Sequence, residues 1–338
     1  MRLPQPRGPL SSALFPVLSG PPGELPPVLD DLAGTARTAP LTDDDLQITL
    51  WACYELHYRG FDEVDEDWEW APSLLRLRGT MEAQFERALR RLTGKVPAVT
   101  PDRVTRALAE LVDSDDGPEL ARYMQHHATL EQYREFVRAR SIYHLKEADP
   151  HSWGIPRLAG RAKAALVEIQ ADEYGGGRSD RMHSELFRRM MRALDLDDSY
   201  GAYIDEAPAI VLAGNNAMSL FGLHRRLRGA LAGHLAAFEM TSSLPNRRYG
   251  NGLRRLRFDR DATWFHDEHV EADAVHEQVA AHDLCGGFAT AEPDKASDVL
   301  FGAACCLVLD NLAAGYLLGR WEVGAPAPVD RPGVAAPA

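Results

Sequence analysis

Between residues 42 and 322 the apolar residues recur at helical spacing, and no stretch alternates apolar and polar side chains at the period of two that a half-buried strand requires. That pattern excludes sheets, barrels and α/β layers and predicts an all-α bundle. Helical segments are expected over 80–92, 101–112, 119–145, 157–194, 207–220, 223–241, 263–283 and 295–322. Thr42 and Asp45 read as a capping box ahead of the run LQITLWACYELHYRG. Gly175, Gly176 and Gly177 interrupt the 157–194 segment and predict a kink or bulge in one long helix.

The ends differ from this middle. Residues 1–40 hold nine of the 22 prolines, and residues 323–338 are equally poor in apolar periodicity, so both are expected to be disordered. The rest divides into a helical layer over 41–125 and a bundle over 126–322. A net charge of −13 sets the long-range field against phosphate backbones and anionic lipid, which argues against nucleic acid and membrane as partners. The apolar run 301–319 is broken by Asp310 and Asn311 and reads as a buried helix. Cys53, Cys285, Cys305 and Cys306 form no CxxC pair, and no basic-then-apolar leader opens the chain, so a cytoplasmic location is expected.

Chemistry concentrates in the second half. In HVEADAVHE, His269, Asp273 and His276 stand at i, i+4 and i+7 and share one helix face. Two imidazoles and a carboxylate on one stripe suit iron, copper or zinc better than calcium or magnesium. In DEYGGGRSDRMHSELF, Glu173, Asp180 and His183 return to roughly one face if the helix runs through the glycines, and Asp180-x-x-His183 echoes Asp273-x-x-His276. Carboxylate-x-x-His motifs on two helices, with single carboxylates from two others, are how helical bundles hold two irons. Glu239, alone in the apolar run LAGHLAAFEM, calls for a cation. Glu147 is the other candidate, with Asp149 and His151 competing for its role. The acidic loop 62–69 lacks the central glycine of a calcium loop, and Glu55 and His57, two apart, read as a satisfied buried pair. Arg225, Arg226, Arg228, Arg247, Arg248, Arg254 and Arg255 form a basic band, from which Arg225, Arg226 or Arg228 could fork a substrate carboxylate.

Taken in order, Glu147, Glu173, Asp180 with His183, Glu239 and His269-x-x-x-Asp273-x-x-His276 resemble the haem-oxygenase-like diiron oxidases and oxygenases, also known as iron-containing redox enzymes. The resemblance covers roughly residues 130–320. It implies a haem-oxygenase-like seven-helix bundle, here with an additional N-terminal helical layer, two iron ions, and O2 as co-substrate; haem is not implied. Some relatives carry Glu where Asp180 stands, and its shorter arm leaves open a place behind a ligand histidine.

The function this implies is a nonhaem diiron oxygenase or oxidase acting on a small amine or carboxylate substrate such as an amino acid, in specialised biosynthesis. N-oxygenation is favoured because the arginines offer a carboxylate anchor; desaturation and oxidative C–C cleavage use the same oxidant. The expected partners are the substrate, a reductase or small reductant, and a second copy of the chain as a homodimer. The alternative is an iron-binding, ferroxidase-like storage or sensing protein without an organic substrate. A cofactorless member of the same fold is disfavoured by the joint presence of His183, His269, Asp273 and His276.

Overall fold

The computed structural model describes residues 1–322, the side chains of residues 272–274 excepted. Among them every regular element is helical. In chain order the α-helices are α1 (Pro9–Leu18), α2 (Pro27–Gly34), α3 (Asp44–Glu55), α4 (Pro72–Thr93), α5 (Val104–Asp113), α6 (Leu120–His126), α7 (Leu130–His144), α8 (Asp149–Ser152), α9 (Gly160–Glu173), α10 (His183–Ala193), α11 (Ala209–Leu223), α12 (Arg228–Met240), α13 (Ser243–Arg255), α14 (Arg260–Gln278), α15 (Gly287–Ala291) and α16 (Ala296–Glu322). A π-helical turn, Val279–Gly286, joins α14 to α15.

Residues 1–40 are folded, against the expectation of a loose arm. Prolines open both α1 and α2, where a missing N–H costs nothing. Asp45 caps the first of these helices, taking the backbone N–H of Leu10 and of Ser11 at 2.8 Å each, while Asp43 is the N-cap of its own helix α3. The capping box expected from Thr42 and Asp45 is therefore not formed: the neighbouring chain makes better use of the second carboxylate. Leu10, Leu14 and Leu18 are fully buried. The acidic loop is a strut for the same arm, with Asp62 against the Met1 ammonium and Glu63 accepting from the Leu3 N–H.

Three apolar clusters organise the chain. The first joins α1–α4 to α11 and one face of α16. The second lies among α5, α9, α12, the π turn, α15 and α16, and the third among α6, α7, α10, α13 and the first turns of α14. Helices α5 and α6 pack in the second and third clusters, α5 against α16 and the π turn and α6 against α13. α12 crosses α16 at glycines: a Cβ on Gly233 would overlap the Val299 carbonyl, and one on Gly302 would overlap that of Ala230. α16 is long and apolar enough to cross a membrane, but Val299, Leu300, Phe301, Cys305 and Leu309 are buried in these clusters.

Candidate metal centre

The donors gather at the seam between the second and third clusters. α14 runs unbroken through residues 269–276, so the i, i+7 spacing puts His269 and His276 on one buried face. His269 Nδ1–H donates to the Phe265 carbonyl one turn back at 2.7 Å, which turns Nε2 inward to 3.5 Å from Glu147 Oε1. His276 is held the other way round. Its Nε2 lies 3.0 Å from Asp172 Oδ2, at the protein surface, and its Nδ1 faces Glu239 Oε2 at 3.5 Å. A carboxylate behind a histidine fixes ring orientation and raises basicity, the usual support of a metal-binding imidazole.

Glu173 and His183 arrive by another route. α9 ends on Glu173, and Gly175, Gly176 and Gly177 all take positive φ (67°, 60° and 81°), so the chain leaves the helix and turns back before α10 begins at His183. The turn is tight: a Cβ on Gly175 would lie 2.6 Å from the Arg181 carbonyl carbon. His183 Nδ1 sits 2.9 Å from Glu173 Oε2, yet at an angle that makes no hydrogen bond. Glu147 follows α7 and precedes Ala148, which holds a left-handed φ of 73°. Its Oε1 accepts from His144 Nδ1 at 2.8 Å, and its Oε2 is buried with no hydrogen-bond partner.

Two donor groups result. One ligand atom each from Glu147, Glu173, His183 and His269 lie within 4.8 Å of one another, and so do those of Glu173, Glu239 and His276, with Glu173 common to both. Three buried carboxylates in one place are costly unless cations compensate them. Glu147 Oε2, His183 Nδ1 and His276 Nδ1 are all buried without a well-aligned hydrogen bond among the described residues, which leaves polar capacity that a cation could use. Mixed oxygen and imidazole donors of this kind fit iron. In the metal-free chain protons take the cation's part. Burial pulls His276 down, but the hydrogen bond and charge of Glu239 outweigh it and raise the pKa to about 9. His183 is raised against burial by Glu173. Burial pushes Glu147 up, yet His144 and His269 hold it below the usual carboxylate range.

Six of the sequence candidates, Glu147, Glu173, His183, Glu239, His269 and His276, are brought together. The side chain of Asp273 lies outside the described residues. Asp180 is a correction: it is exposed in a short 3-10 turn, 3.3 Å from Arg178, and reaches neither a ligand nor a ligand histidine. The i, i+7, i+10 argument needed a continuous helix, and three left-handed glycines end it. Nor do Arg225, Arg226 or Arg228 provide a carboxylate anchor. Arg225 is exposed, Arg226 pairs with Glu86 and the buried Arg228 with Glu292, and none of the three lines the cavity beside the donors. Sequence reasoning missed His144 and Asp172. Each left a faint signal, one three residues before Glu147 and the other directly before Glu173.

Beside the donors lies a cavity of about 230 Å³. Glu147 and His269 form part of its wall, Phe187 and Phe238 line it, and Arg140 and Arg248 supply charge. Arg140 pairs with Asp310 at 2.8 Å and Arg248 with Glu119 at 3.0 Å.

An all-helical chain with a buried carboxylate and histidine cluster defines a class, the helical bundles built to hold metal ions. The comparison with known families narrows it: residues 134–311, just over half of the chain and including every donor named above, match the family described as iron-containing redox enzyme, and the chain belongs to that family. It is an iron-dependent oxidoreductase. It is also similar to a nitrosourea synthase of Streptomyces achromogenes subsp. streptozoticus, 29% identical over 138 residues, which are 40% of this chain and 29% of that protein. The matched stretch is thus under a third of the relative's length.

Proposed function

We propose that the chain holds two irons and uses O2 to oxygenate the nitrogen of a small amine that also carries a carboxylate. The observation that carries this reading is the pair of donor groups sharing Glu173, since a carboxylate common to two such groups is what a dinuclear centre needs. When bound, two ferrous ions supply the electrons that activate O2.

The protein's own residues do the remaining work. Glu147, Glu173 and Glu239 balance the charge, and Asp172 and the Phe265 carbonyl fix which nitrogen His276 and His269 turn inward. Phe187 and Phe238 keep water scarce beside Glu147, and Arg140 and Arg248, which line the cavity as residues 225–228 do not, offer the substrate carboxylate a guanidinium shared with Asp310 or Glu119. The relative's name denotes a product with an oxidised nitrogen, which supports nitrogen over carbon as the site of attack. Each turnover draws electrons from a reductase or a small reductant.

Anaerobic titration with Fe(II) should end at two irons per chain, and admission of O2 with a panel of amino acids and ω-amino carboxylates should yield an N-oxygenated product from at least one. An end point of one iron removes the dinuclear reading. O2 uptake indifferent to every compound, with many ferric ions accumulating per chain, replaces the enzyme by a storage protein.

A further inference from the structure

One turn before His269 on α14 stands a second buried imidazole that belongs to neither donor group. His266 is 2% exposed and forms part of the wall of the 230 Å³ cavity. Its Nδ1 lies 2.8 Å from Asn246 Oδ1. The amide's orientation is fixed from its other end, because Asn246 Nδ2 donates to the Ser242 carbonyl at 3.1 Å and lies 2.7 Å from the Ser242 hydroxyl. With an oxygen facing it, Nδ1 must carry the proton, and Nε2 is then a bare acceptor. That Nε2 is buried and has no hydrogen-bond partner among the described residues. Leaving such an acceptor unmade costs stability that a bound donor would recover.

His266 and His269 therefore share one device. In each a carbonyl oxygen accepts from Nδ1–H and turns Nε2 the other way; for His269 that nitrogen faces Glu147, and for His266 no partner stands among the described residues. Tyr249 and Phe265 flank the ring at centroid distances of 5.5 and 5.3 Å. Burial, with His269 and His144 nearby, holds the imidazole neutral.

We propose that His266 Nε2 is the acceptor that takes an N–H of the substrate's amine and so positions its nitrogen in the cavity beside Glu147 and His269. The inference rests on the reading of this cavity as the substrate's, and it makes a hydrogen-bonded N–H a requirement for binding. His266 is a positioning residue and Asn246 sets its tautomer.

The test uses the full chain loaded with Zn(II), which needs neither O2 nor turnover. Nitrogen-15 NMR of the imidazoles at pH 7 should show His266 in the Nδ1–H form, and Asn246→Ala should weaken that preference. Calorimetry should show 6-aminohexanoate binding more tightly than its N,N,N-trimethyl analogue, which has no N–H. His266→Phe should weaken the amine about tenfold and leave the analogue unchanged. His266→Gln, which restores an acceptor oxygen, should recover part of the loss. Addition of the amine, and not of the analogue, should move the Nε2 resonance. An Nε2–H tautomer in the wild type, equal losses for both probes, or a wild type that fails to prefer the amine, including by binding neither, overturns the proposal. If these results hold and no amine is oxidised by the iron-loaded chain, the N-oxygenation reading falls alone. If amines are oxidised and His266→Phe leaves KM unchanged, this inference falls alone.

Discussion

The two segments that present histidines to the candidate centre do so by opposite means. α14 delivers His269 and His276 from a continuous helix, where ordinary backbone geometry sets the interval and side-chain contacts only trim the ring orientation. The α9–α10 segment delivers Glu173 and His183 from the end of one helix and the start of the next, across three glycines in a conformation other residues rarely adopt. Placement on α14 is therefore spread over many helical hydrogen bonds, whereas placement of His183 against Glu173 depends on three left-handed glycines and one close backbone approach. The comparison teaches that one site can tolerate change very differently along its two supports.

The largest effect should come from the residue where both supports meet. Glu173 belongs to both donor groups, so Glu173→Ala is expected to reduce iron from two per chain to nearly none, while His276→Ala, confined to one group, retains up to one. Iron counted after anaerobic loading and desalting checks this. Equal residual iron in the two variants would remove the shared role of Glu173.

Next in size is the glycine turn itself. Gly175→Ala adds a left-handed alanine at about 1–2 kcal/mol and sets its Cβ 2.6 Å from the Arg181 carbonyl carbon, so the turn must open and carry His183 away. Iron in the group of Glu147 and His183 should fall severalfold. Glu271→Ala, at an exposed position on α14, should leave iron and stability unchanged. Circular dichroism separates loss of the site from loss of the fold, and if both alanines behave alike the two supports do not differ.

The same difference decided how much could be read from the sequence. Along α14 residue spacing translates directly into direction, so the shared face of His269 and His276 was legible. Through Gly175–Gly177 the translation stops: the glycines announced a distortion, but neither its sign nor its reach, and Asp180 was carried onto a face that does not exist. Glu239 was legible because a carboxylate in an apolar run must be answered. Arg140 was not, and Arg248 was seen only as one of seven arginines in a basic band, since a guanidinium on a polar helix looks the same whether it meets solvent or a cavity. The folded N-terminal arm was hidden for a related reason, as Asp45 reads locally as a cap for α3 and only the tertiary structure hands it to α1.

A milder effect on the α14 side follows from pH. In the metal-free chain the pKa of His276 rises from its usual 6.5 to about 9, so the folded state holds this proton more tightly than the unfolded chain. Its contribution to stability is complete below about pH 6.5 and is lost as pH rises through 9. Iron competes with the same proton, so apparent Fe(II) affinity should climb over that range while metal-free stability declines. Thermal unfolding of the metal-free protein from pH 6.5 to 9.5 should show this decline, and His276→Gln should flatten it. A wild-type profile as flat as the variant's would mean that Glu239 and Asp172 do not hold a proton on His276.

The smallest effect is expected at Asp180, and its smallness is the sharpest statement about the glycine-linked support. The carboxylate is exposed and meets only Arg178, and exposed pairs of this kind contribute between nothing and about 1 kcal/mol. Its backbone carbonyl, which accepts from Arg189, survives any side-chain change. Asp180→Asn should therefore bind the same iron as the wild type, with stability within about 0.5 kcal/mol. The same isosteric change at a proposed ligand removes an anionic donor from the site, so Glu239→Gln serves as the matched control and should lose iron. If Asp180→Asn loses iron as Glu239→Gln does, metal loading must rebuild residues 175–182 so that Asp180 turns inward, and the glycines would then be a hinge that closes on the metal rather than a fixed bend.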